Sequence, residues 1–353
     1  MNHTQSKILE CTLRDGSYVN GFRFSKDDTA TLLRALEQVG FSMIELGHGM
    51  GLGASELGGK LAALETDETY LQTACETVQS AMWGMFCIPG IATLDHVDMA
   101  AEHRMKFIRI GVNIEEHEKL KPFIERAKQH GFYVCANLMK SYTVSPARFA
   151  EYAVEIEKYG IDLLYIVDSA GGMLPDELRQ YIQATKDACP TMHLGFHGHN
   201  NLGLGVANSL MAYEHGVEVI DTTLQGFGRS SGNAPTEQLL GVLLRRGVDM
   251  DIDPIAVMDI GEQYIQPLIE RKGLSSLDTI SGLALFHSSY MPVIQQYASQ
   301  YQVDPRKLIV AVCQQSLSEA PDALVEDQAK KLADAGEGND WKASYKNYIG
   351  GEQ

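Results

Sequence analysis

Short apolar runs alternate with longer amphipathic segments from the start of the chain to about Thr223. The runs have the length of strands, and the segments between them carry apolar residues at helical spacing. Ser25 is a plausible helix start and Gly40 a plausible helix end. The apolar runs predict strands at residues 8–13, 42–46, 82–87, 106–110, 133–138, 163–167, 192–199 and 219–223. The segments between them predict helices at residues 25–40, 67–80, 94–103, 116–130, 146–159, 175–189 and 204–215.

Mostly apolar strands that alternate with helices are typical of parallel βα units, whose strands are buried on both faces. Eight such units can close into a TIM barrel, and this α/β fold is predicted for a catalytic domain at residues 1–250. From residue 251 the alternation stops, and helices are predicted at 254–271, 290–301, 304–314 and 320–335. We therefore predict a helical C-terminal extension over residues 251–353, with a loosely ordered tail from residue 336. A doubly wound open sheet is the structural alternative.

Polar residues cluster where the predicted strands end. They are Arg14, Asp15, Glu45, His48, Asn137, Lys140, Asp168, Ser169, His197, His199 and Gln225. In a TIM barrel the carboxyl ends of the strands form the active-site face. Barrel closure also brings the first and seventh strands within one strand of each other, so their polar residues should converge. An open sheet explains that convergence less well.

His197 and His199 lie one residue apart at the predicted end of the seventh strand, so their side chains point to the same face. With Asp15 they form a ligand set that leaves coordination positions open for substrate and water. This set suits Mn²⁺, Mg²⁺, Co²⁺ or Zn²⁺. The alternative is an ordinary pair of histidines at a strand end. Arg14 would place a positive charge near an enolate oxygen, or would form a salt bridge at the barrel rim.

The net charge of the chain limits the kinds of molecule that it is expected to bind. The formal net charge of −17 argues against binding to nucleic acid or to an anionic membrane. No apolar run approaches the length of a membrane span. The six cysteines are scattered without a CxxC pair, and no signal peptide is evident. We therefore expect a cytoplasmic protein that acts on small molecules.

Three motifs resemble those of the DRE-TIM metallolyase superfamily: Thr12-Leu13-Arg14-Asp15-Gly16, the HxHN at 197–200 and the GxGxxxGNA loop at 226–234. Within that superfamily the chain is most similar to the 4-hydroxy-2-oxovalerate aldolases. Four further segments carry this similarity: IELGHGMGL at 44–52, VDS at 167–169, GLGVANS at 203–209 and GNAP at 232–235. The similarity covers about residues 6–245.

The resemblance implies a divalent-metal-dependent aldolase. It would cleave a 4-hydroxy-2-oxo acid to pyruvate and an aldehyde, or run in reverse, through a metal-stabilised pyruvate-type enolate. By carry-over, the metal ligands are Asp15, His197 and His199, with Asn233 as a weaker fourth ligand. Arg14 polarises the substrate carbonyl, and the substrate-binding residues are Ser169, Glu45 and His48. Mn²⁺ is the expected metal ahead of Mg²⁺, Co²⁺ and Zn²⁺, and a homodimer is the expected assembly.

The chain departs from the aldolase pattern at two positions. The aldolases have a catalytic histidine three residues after the ligand aspartate, where this chain has Tyr18. Their active-site tyrosine lies in a later YSS segment, where this chain has His287-Ser288-Ser289. We expect an exchange of roles, in which His287 transfers the proton and Tyr18 donates a hydrogen bond. The alternative is that His287 is an ordinary surface histidine.

Two other function classes remain open from the sequence. A Claisen-type acyl-CoA condensing enzyme of the same superfamily is the first, although the C-terminal part shows no evident regulatory domain. A non-catalytic barrel scaffold is the second, although nothing structural requires two imidazoles and a carboxylate to converge. The C-terminal residues show no clear match to the segment by which the aldolases dock an aldehyde dehydrogenase. That partner is therefore not assumed.

Overall fold

The computed structural model describes residues 7–269 and 275–336. Its strands pair in chain order, and the first strand also pairs with the eighth, which closes a parallel barrel. The strands are β1 (Lys7–Glu10), β2 (Met43–Leu46), β3 (Met82–Cys87), β4 (Phe107–Asn113), β5 (Tyr133–Met139), β6 (Leu163–Asp168), β7 (Leu194–Gly198) and β8 (Val219–Thr222). The prediction of a TIM barrel is confirmed, and the open-sheet alternative is wrong.

Helices surround the barrel and begin largely where the sequence predicts. Ser25 Oγ accepts the backbone N–H of Asp28 and starts the second helix, and Ser145 caps the sixth helix in the same way ahead of Pro146. The helices of the barrel are α1 (Thr12–Asp15), α2 (Lys26–Gln38), α3 (Asp67–Thr77), α4 (Leu94–Glu102), α5 (Leu120–Gln129), α6 (Pro146–Glu157), α7 (Pro175–Ala188), α8 (Gly205–Glu214) and α9 (Thr236–Arg245). Short 3₁₀ turns lie at Gly16–Tyr18, Ala54–Glu56, Gly59–Leu61, Ile114–Lys119, Ser141–Thr143 and Leu224–Gly226.

The first strand is shorter than predicted. The sequence predicts a strand over residues 8–13, but β1 ends at Glu10 and the chain turns into the single helical turn α1. The Glu10 carboxylate causes this turn, because it accepts the Thr12 backbone N–H at 3.0 Å and the Thr12 hydroxyl at 2.5 Å. Arg14 and Asp15 therefore lie on a helical turn at the barrel mouth and not on a strand.

The extension is helical, as predicted, but its helices differ in detail. It contains α10 (Pro254–Ile260), α11 (Ser276–Ala284), α12 (Met291–Tyr301), α13 (Pro305–Cys313) and α14 (Asp322–Asp334). The single helix predicted at 254–271 is wrong, because α10 gives way to a π-turn at Gly261–Ile265 and a 3₁₀ turn at Gln266–Leu268. Pro267, in the latter turn, has no N–H to continue a helix. Residues 270–271 and the tail after Gly336 lie outside the described residues. The sequence did not predict α11.

Two groups of buried residues, one inside the barrel and one between its strands and helices, hold the site in position. Leu9, Phe107 and Tyr165 belong to the group of residues that fills the barrel interior, while a larger core lies between strands and helices and includes residues of α10. The extension from α11 onward has a core of its own, built around Ile294 and Leu308. Across residues 7–269 and 275–336, no helix combines the length and the apolar character that a membrane crossing requires.

Candidate active site

The carboxyl ends of the strands and the extension enclose a cavity of about 270 Å³. Its lining includes these sequence-predicted site residues: Arg14, Asp15, Tyr18, Ser169, His197 and His287. His287, Ser289 and Tyr290 reach the cavity from the extension of the same chain. The extension therefore covers the barrel mouth, which is the arrangement that the predicted role of His287 requires.

Asp15, His197 and His199 converge into one group of buried donor atoms. One ligand atom from each residue lies within 4.8 Å of the other two. The alternation of side chains at the end of β7 places both imidazoles on one face, with ring centroids 5.2 Å apart. The turn of α1 then brings the carboxylate of Asp15 to them. This is the convergence that the sequence predicts for a barrel.

The hydrogen bonds of the two histidines fix which ring nitrogens could bind a metal. His199 Nδ1 lies 3.2 Å from the carbonyl oxygen of Gly232, which can only accept, so Nδ1 carries the proton. His197 Nδ1 lies 2.8 Å from the Asp221 carboxylate, the usual partner of a metal-binding histidine. Both Nε2 atoms are therefore left as lone-pair donors. His199 Nε2 is buried and has no hydrogen-bond partner among the described residues.

A buried polar atom without a partner costs about 1–3 kcal/mol, and His199 is not the only case here. Asn233 donates its amide N–H to Asp15 Oδ2 at 2.5 Å, while its Oδ1 is buried without a partner among the described residues. The backbone of Asn233 pairs with that of His199, which explains how the glycine loop reaches the site. Gly228 in this loop has no room for a side chain, because a Cβ would lie 2.5 Å from Asn233 Nδ2. A divalent cation fits this donor set.

A row of buried charges connects the two sides of the donor set. Arg14 bonds Asp15 and Glu45, each at 2.7 Å, and Glu45 Oε2 also accepts from Arg109 Nη1 at 2.7 Å. Arg109 Nη2 donates to Asp221 Oδ2 at 2.5 Å, the oxygen that His197 also contacts. The row thus runs from Asp15 to His197, with carboxylates and guanidinium groups alternating up to Asp221. We call it the charge row, comprising Asp15, Arg14, Glu45, Arg109, Asp221 and His197.

Burial and nearby charged groups keep Asp15 and His199 in the protonation states that suit a metal. Burial raises the pKa of Asp15, but Arg14, His199 and His197 outweigh burial, so this pKa lies well below its usual value. Burial and then the positive charge of Arg229 lower the pKa of His199 well below 6.5. The site therefore presents a carboxylate and a neutral imidazole, the forms in which these side chains bind cations.

Sequence comparison places this barrel among known proteins. The chain matches the sequence model of the HMGL-like family over residues 5–263. It belongs to the HMGL-like family. The carboxyl transferase domain of Rhizobium etli pyruvate carboxylase has the same fold, with a TM-score of 0.76 at 16% identity over 95% of this chain and 62% of the other. At that identity the likeness concerns the fold alone.

Relatives within the HMGL-like family point to one enzyme class. The chain is 36% identical over 328 residues to the 4-hydroxy-2-oxovalerate aldolase of Desulfitobacterium hafniense, covering 93% of this chain and 98% of the relative. It is 34% identical over 327 residues to 4-hydroxy-2-oxovalerate aldolase 2 of Rhodococcus jostii, covering 92% and 95%. These relatives confirm the prediction of a metal-dependent aldolase, a lyase, over a condensing enzyme or a scaffold.

Two residues of the HMGL-like pattern lie elsewhere than predicted. Glu45 is fully buried on β2 and is not among the residues that line the cavity. Its carboxylate bridges Arg14 and Arg109 instead. His48 stacks on Phe22 with centroids 3.8 Å apart and also lies outside the lining, and burial lowers its pKa to about 4. These contacts favour support of the site for both residues, and their assignment to substrate binding stays a prediction.

The structure also identifies residues that sequence reasoning missed. Arg109 on β4 and Asp221 on β8 are buried inside the barrel and connect Glu45 to His197. Their signal in the sequence is a charge within an otherwise apolar strand, as in Phe107–Asn113. Such a charge is almost never buried without a partner, so each predicts a buried ion pair.

The two positions that depart from the aldolase pattern both reach the cavity. Tyr18 is half-buried, and its ring lies so close to Gly49 that a Cβ there would approach it to 2.6 Å. His287 is buried, and its Nδ1 lies 2.6 Å from Ser289 Oγ and accepts the Ser289 backbone N–H at 3.2 Å. Ser289 thus offers Nδ1 both an acceptor and a donor. Either neutral tautomer of His287 has a partner.

Proposed function

We propose that this protein cleaves a 4-hydroxy-2-oxo acid to pyruvate and an aldehyde, or joins the two in reverse. One observation carries the proposal: Asp15, His197 and His199 form one group of donor atoms, and two of them, Asp15 and His197, line a cavity together with Arg14 and His287. The relatives named 4-hydroxy-2-oxovalerate aldolase support this substrate class. The mixed oxygen and nitrogen ligands suit Mn²⁺, Mg²⁺, Co²⁺ and Zn²⁺ alike, and we propose Mn²⁺ as the metal with which the other three are to be compared.

The roles follow from where each side chain is held. Asp15, His197 and His199 would hold the cation, which supplies a Lewis acid for the carboxylate and keto oxygens of a 2-oxo acid. Asn233, through its unpaired Oδ1, is proposed as a further ligand or as the residue that orients Asp15. Ser169 lines the cavity, and its Oγ accepts the Lys140 backbone N–H at 3.1 Å. We propose that Ser169 orients the substrate.

Arg14 is proposed to stabilise the negative charge of the enolate oxygen. Its Nε is bonded to Glu45 and its Nη1 to Asp15, and the guanidinium lies over the Phe86 ring at 5.0 Å. These contacts fix the guanidinium group of Arg14 at the cavity wall before substrate binds. A preorganised donor of this kind needs no rearrangement during the reaction. Burial lowers the pKa of Arg14, but Glu45 and Asp15 outweigh burial and raise it, so the side chain stays charged.

His287 is proposed as the residue that takes the proton from the 4-hydroxyl during cleavage and returns it during condensation. Burial lowers its pKa well below 6.5, so the imidazole is neutral near pH 7 and can accept a proton. Nε2 can take up a proton when Nδ1 carries the proton of the neutral ring, and the Ser289 hydroxyl oxygen, 2.6 Å from Nδ1, can accept that Nδ1–H. Tyr18, which also lines the cavity, is proposed as a hydrogen-bond donor to the substrate.

Pyruvate release tests the proposed function. We expect metal-free protein to be inactive and Mn²⁺ to restore pyruvate release from 4-hydroxy-2-oxo acids, measured with lactate dehydrogenase. His197→Ala should retain the fold by circular dichroism and lose the bound metal by elemental analysis, because one of three ligands is removed. Full metal occupancy in that variant would contradict the ligand assignment. Thiol release from acetyl-CoA without pyruvate release from any 4-hydroxy-2-oxo acid would contradict the aldolase reaction.

Substitution of Arg14 by lysine tests its role at the enolate. Lysine keeps the charge but lacks the planar guanidinium group that Glu45 and Asp15 hold in place. We therefore expect kcat to fall by about a hundredfold or more while KM changes little. Steady-state kinetics on 4-hydroxy-2-oxovalerate measure this. Arg23→Lys, at an exposed arginine, is the matched control. An unchanged kcat in Arg14→Lys would assign Arg14 to a rim salt bridge only.

A further inference from the structure

The cavity of the candidate active site connects two opposite sides of the barrel. In a closed ring of eight strands, β5 lies across from β1, and β4 lies across from β8. Two of the proposed metal ligands are on one side, since Asp15 follows β1 and His197 lies on β7, next to β8. Asn113 and Asn137, from β4 and β5, line the same cavity on the other side. A substrate held by one end at Asp15 and His197 can therefore meet these two amides with its other end.

The side chain of Asn137 is buried at the cavity wall, and its oxygen is unpaired. The residue is 2% exposed, and its Oδ1 has no hydrogen-bond partner among the described residues. Alternation along β5 points Asn137 inward, between Cys135 in the barrel interior and Met139 in the cavity lining. Its register partner on β4 is Gly111, and the Phe86 ring occupies the space of a side chain there, because a Cβ on Gly111 would lie 2.2 Å from Phe86 Cζ. Neither neighbour has a side chain that can form a hydrogen bond with the amide.

An unpaired buried amide favours ligands that carry a hydroxyl group. An asparagine side chain offers one acceptor and one donor group, and rotation of the amide by 180° exchanges their positions. A hydroxyl both donates and accepts, so it can pair with whichever end of the amide faces the cavity, whereas a methyl group can pair with neither. A site built to bind a substrate hydroxyl discriminates against the analogue without it, because the polar group of the protein then stays unpaired. Asn137 therefore has the properties of a residue that selects a hydroxylated substrate.

Asn113 supplies a second amide beside Asn137. The strand register pairs Asn113 with Met139, two residues beyond Asn137, so Asn113 lies nearer the barrel mouth. Its Nδ2 is directed at Glu116 Oε2 in the turn after β4, 3.4 Å away. That contact uses the nitrogen of the amide, and the oxygen of the same amide is an acceptor for a ligand. A hydroxyl that accepts a hydrogen bond from Asn137 can thus donate its own proton to Asn113.

The extension places the proposed base near the end of β5. Tyr290 of the extension accepts a hydrogen bond from Lys140, the residue after β5, with Nζ and the hydroxyl oxygen 2.6 Å apart. The His287 ring lies beside that of Tyr290, with centroids 6.0 Å apart. His287 therefore lies over the end of the strand that carries Asn137. When His287 takes the proton of the 4-hydroxyl, the next carbon of the substrate can reach Asn137.

We propose that Asn137, with Asn113, binds a hydroxyl group on carbon 5 of the substrate, one carbon beyond the 4-hydroxyl. The preferred substrates are then 4,5-dihydroxy-2-oxo acids, which yield pyruvate and a 2-hydroxyaldehyde. The proposal rests on the proposed function, because it takes the 2-oxo acid end to lie at Asp15, His197 and His199. The 5-hydroxyl takes no part in bond cleavage, and its hydrogen bonds exist equally before and during the reaction.

The test compares two substrates of nearly equal size. In 4,5-dihydroxy-2-oxopentanoate a hydroxyl replaces the terminal methyl group of 4-hydroxy-2-oxohexanoate, and the two are otherwise the same. We expect kcat/KM for the dihydroxy acid to exceed that for the hexanoate by about tenfold or more, since the amide would stay unpaired with the methyl group. Pyruvate release coupled to lactate dehydrogenase measures both. A ratio of one or less would overturn the proposal.

Variants assign the preference to Asn137. Asn137→Leu replaces the amide by an apolar group of similar size and should lower the ratio by about tenfold or more, mainly through KM for the dihydroxy acid. Asn113→Leu should lower the ratio by a smaller factor, because Glu116 already holds one end of that amide. Gln183→Leu removes an exposed amide on α7 and should leave the ratio unchanged. A high ratio that does not change in Asn137→Leu would contradict the assignment.

The melting temperature distinguishes substrate selection from a purely structural role. Asn137→Leu removes an unpaired buried amide, so the protein without substrate should melt at the same temperature or higher. A lower melting temperature together with an unchanged ratio would show that the amide serves only the fold, through a buried water molecule, and would overturn the proposal.

Exchange of the pyruvate methyl protons with D₂O separates this proposal from the proposed function. Asn137→Leu should exchange these protons as fast as the wild-type protein, because enolate formation does not involve carbon 5. Slower exchange in the variant would place Asn137 at the 2-oxo acid instead and contradict the proposal. If the wild-type protein exchanges the protons and cleaves both substrates equally well, the hydroxyl subsite is wrong and the aldolase function stands. If neither exchange nor cleavage occurs, the proposed function itself fails.

Discussion

His287→Gln is expected to lower kcat for pyruvate release by a factor of about 10² to 10⁴, the usual contribution of a positioned acid–base group. Glutamine can still form hydrogen bonds at this position but cannot take up a proton at neutral pH. A phenol has an ordinary pKa near 10 and an imidazole one near 6.5, so Tyr18 would need far more perturbation to act as the base. Steady-state kinetics with saturating metal measure the effect.

The pH profile provides a second measurement of the same role. Burial of His287, and then the charges of Arg229 and Lys140, lower its pKa, so the deprotonated base persists to lower pH than for an ordinary histidine. We expect activity of the wild-type protein to fall only below about pH 6.5, and the dependence on this group to vanish in His287→Gln. Metal content and melting temperature show whether the variant keeps its fold.

Tyr18→Phe is the matched comparison for His287→Gln. It removes one hydroxyl from the cavity lining, and we expect a loss of about tenfold, as for a single neutral hydrogen bond. The exchange of roles between the two positions would be wrong if Tyr18→Phe abolished turnover while His287→Gln turned over normally. The tyrosine would then be the base.

Arg109→Met is expected to lower the free energy of unfolding by about 3–5 kcal/mol. Arg109 is fully buried between the carboxylates of Glu45 and Asp221, and methionine fills similar space without a charge. Removal of Arg109 leaves the buried negative charges of Glu45 and Asp221 uncompensated. A buried charge that has lost its partner is strongly destabilising. Urea denaturation of the metal-free protein, followed by circular dichroism, measures the loss.

An exposed arginine gives the control for Arg109. Arg148 pairs with Glu151 on α6, with its side chain 50% exposed, so Arg148→Met should leave the free energy of unfolding nearly unchanged. A loss in Arg109→Met as small as in this control would show that the charge row does not hold the barrel interior together. Arg109→Lys, which keeps the charge but can reach only one carboxylate well, should fall between the two.

The barrel could be predicted because its signal is repeated along the chain. Each strand is a short apolar run, and helix caps such as Ser25 and Ser145 mark where helices begin. The convergence of Asp15 with His197 and His199 followed from barrel closure together with the alternation of side chains at the end of β7. The end of β1 was mispredicted because Glu10 caps the following turn, a contact between side chain and backbone that hydrophobic periodicity does not record.

The residues that support the site were harder to predict than the proposed metal ligands. Glu45 belongs to a family-like motif at a strand end, which is also what a substrate-binding residue looks like in sequence. Only the positions of Arg14 and Arg109 show that its carboxylate is used between two cations. Arg109 and Asp221 lie 112 positions apart, and their pairing depends on how the strands register in the closed barrel.

The extension carries His287, Ser288 and Tyr290. The proposed active site is therefore assembled from two consecutive segments of the chain, the barrel and the extension. The barrel contributes the groups that would handle the 2-oxo acid, while the extension contributes His287 and the hydroxyl groups that accept hydrogen bonds from Lys140 and Arg229. Substitutions after α11 are therefore expected to alter the proton transfer proposed for His287 without touching the residues proposed to bind the metal. Relatives that share the first segment and differ in the second would be expected to share the first half-reaction and diverge in the second.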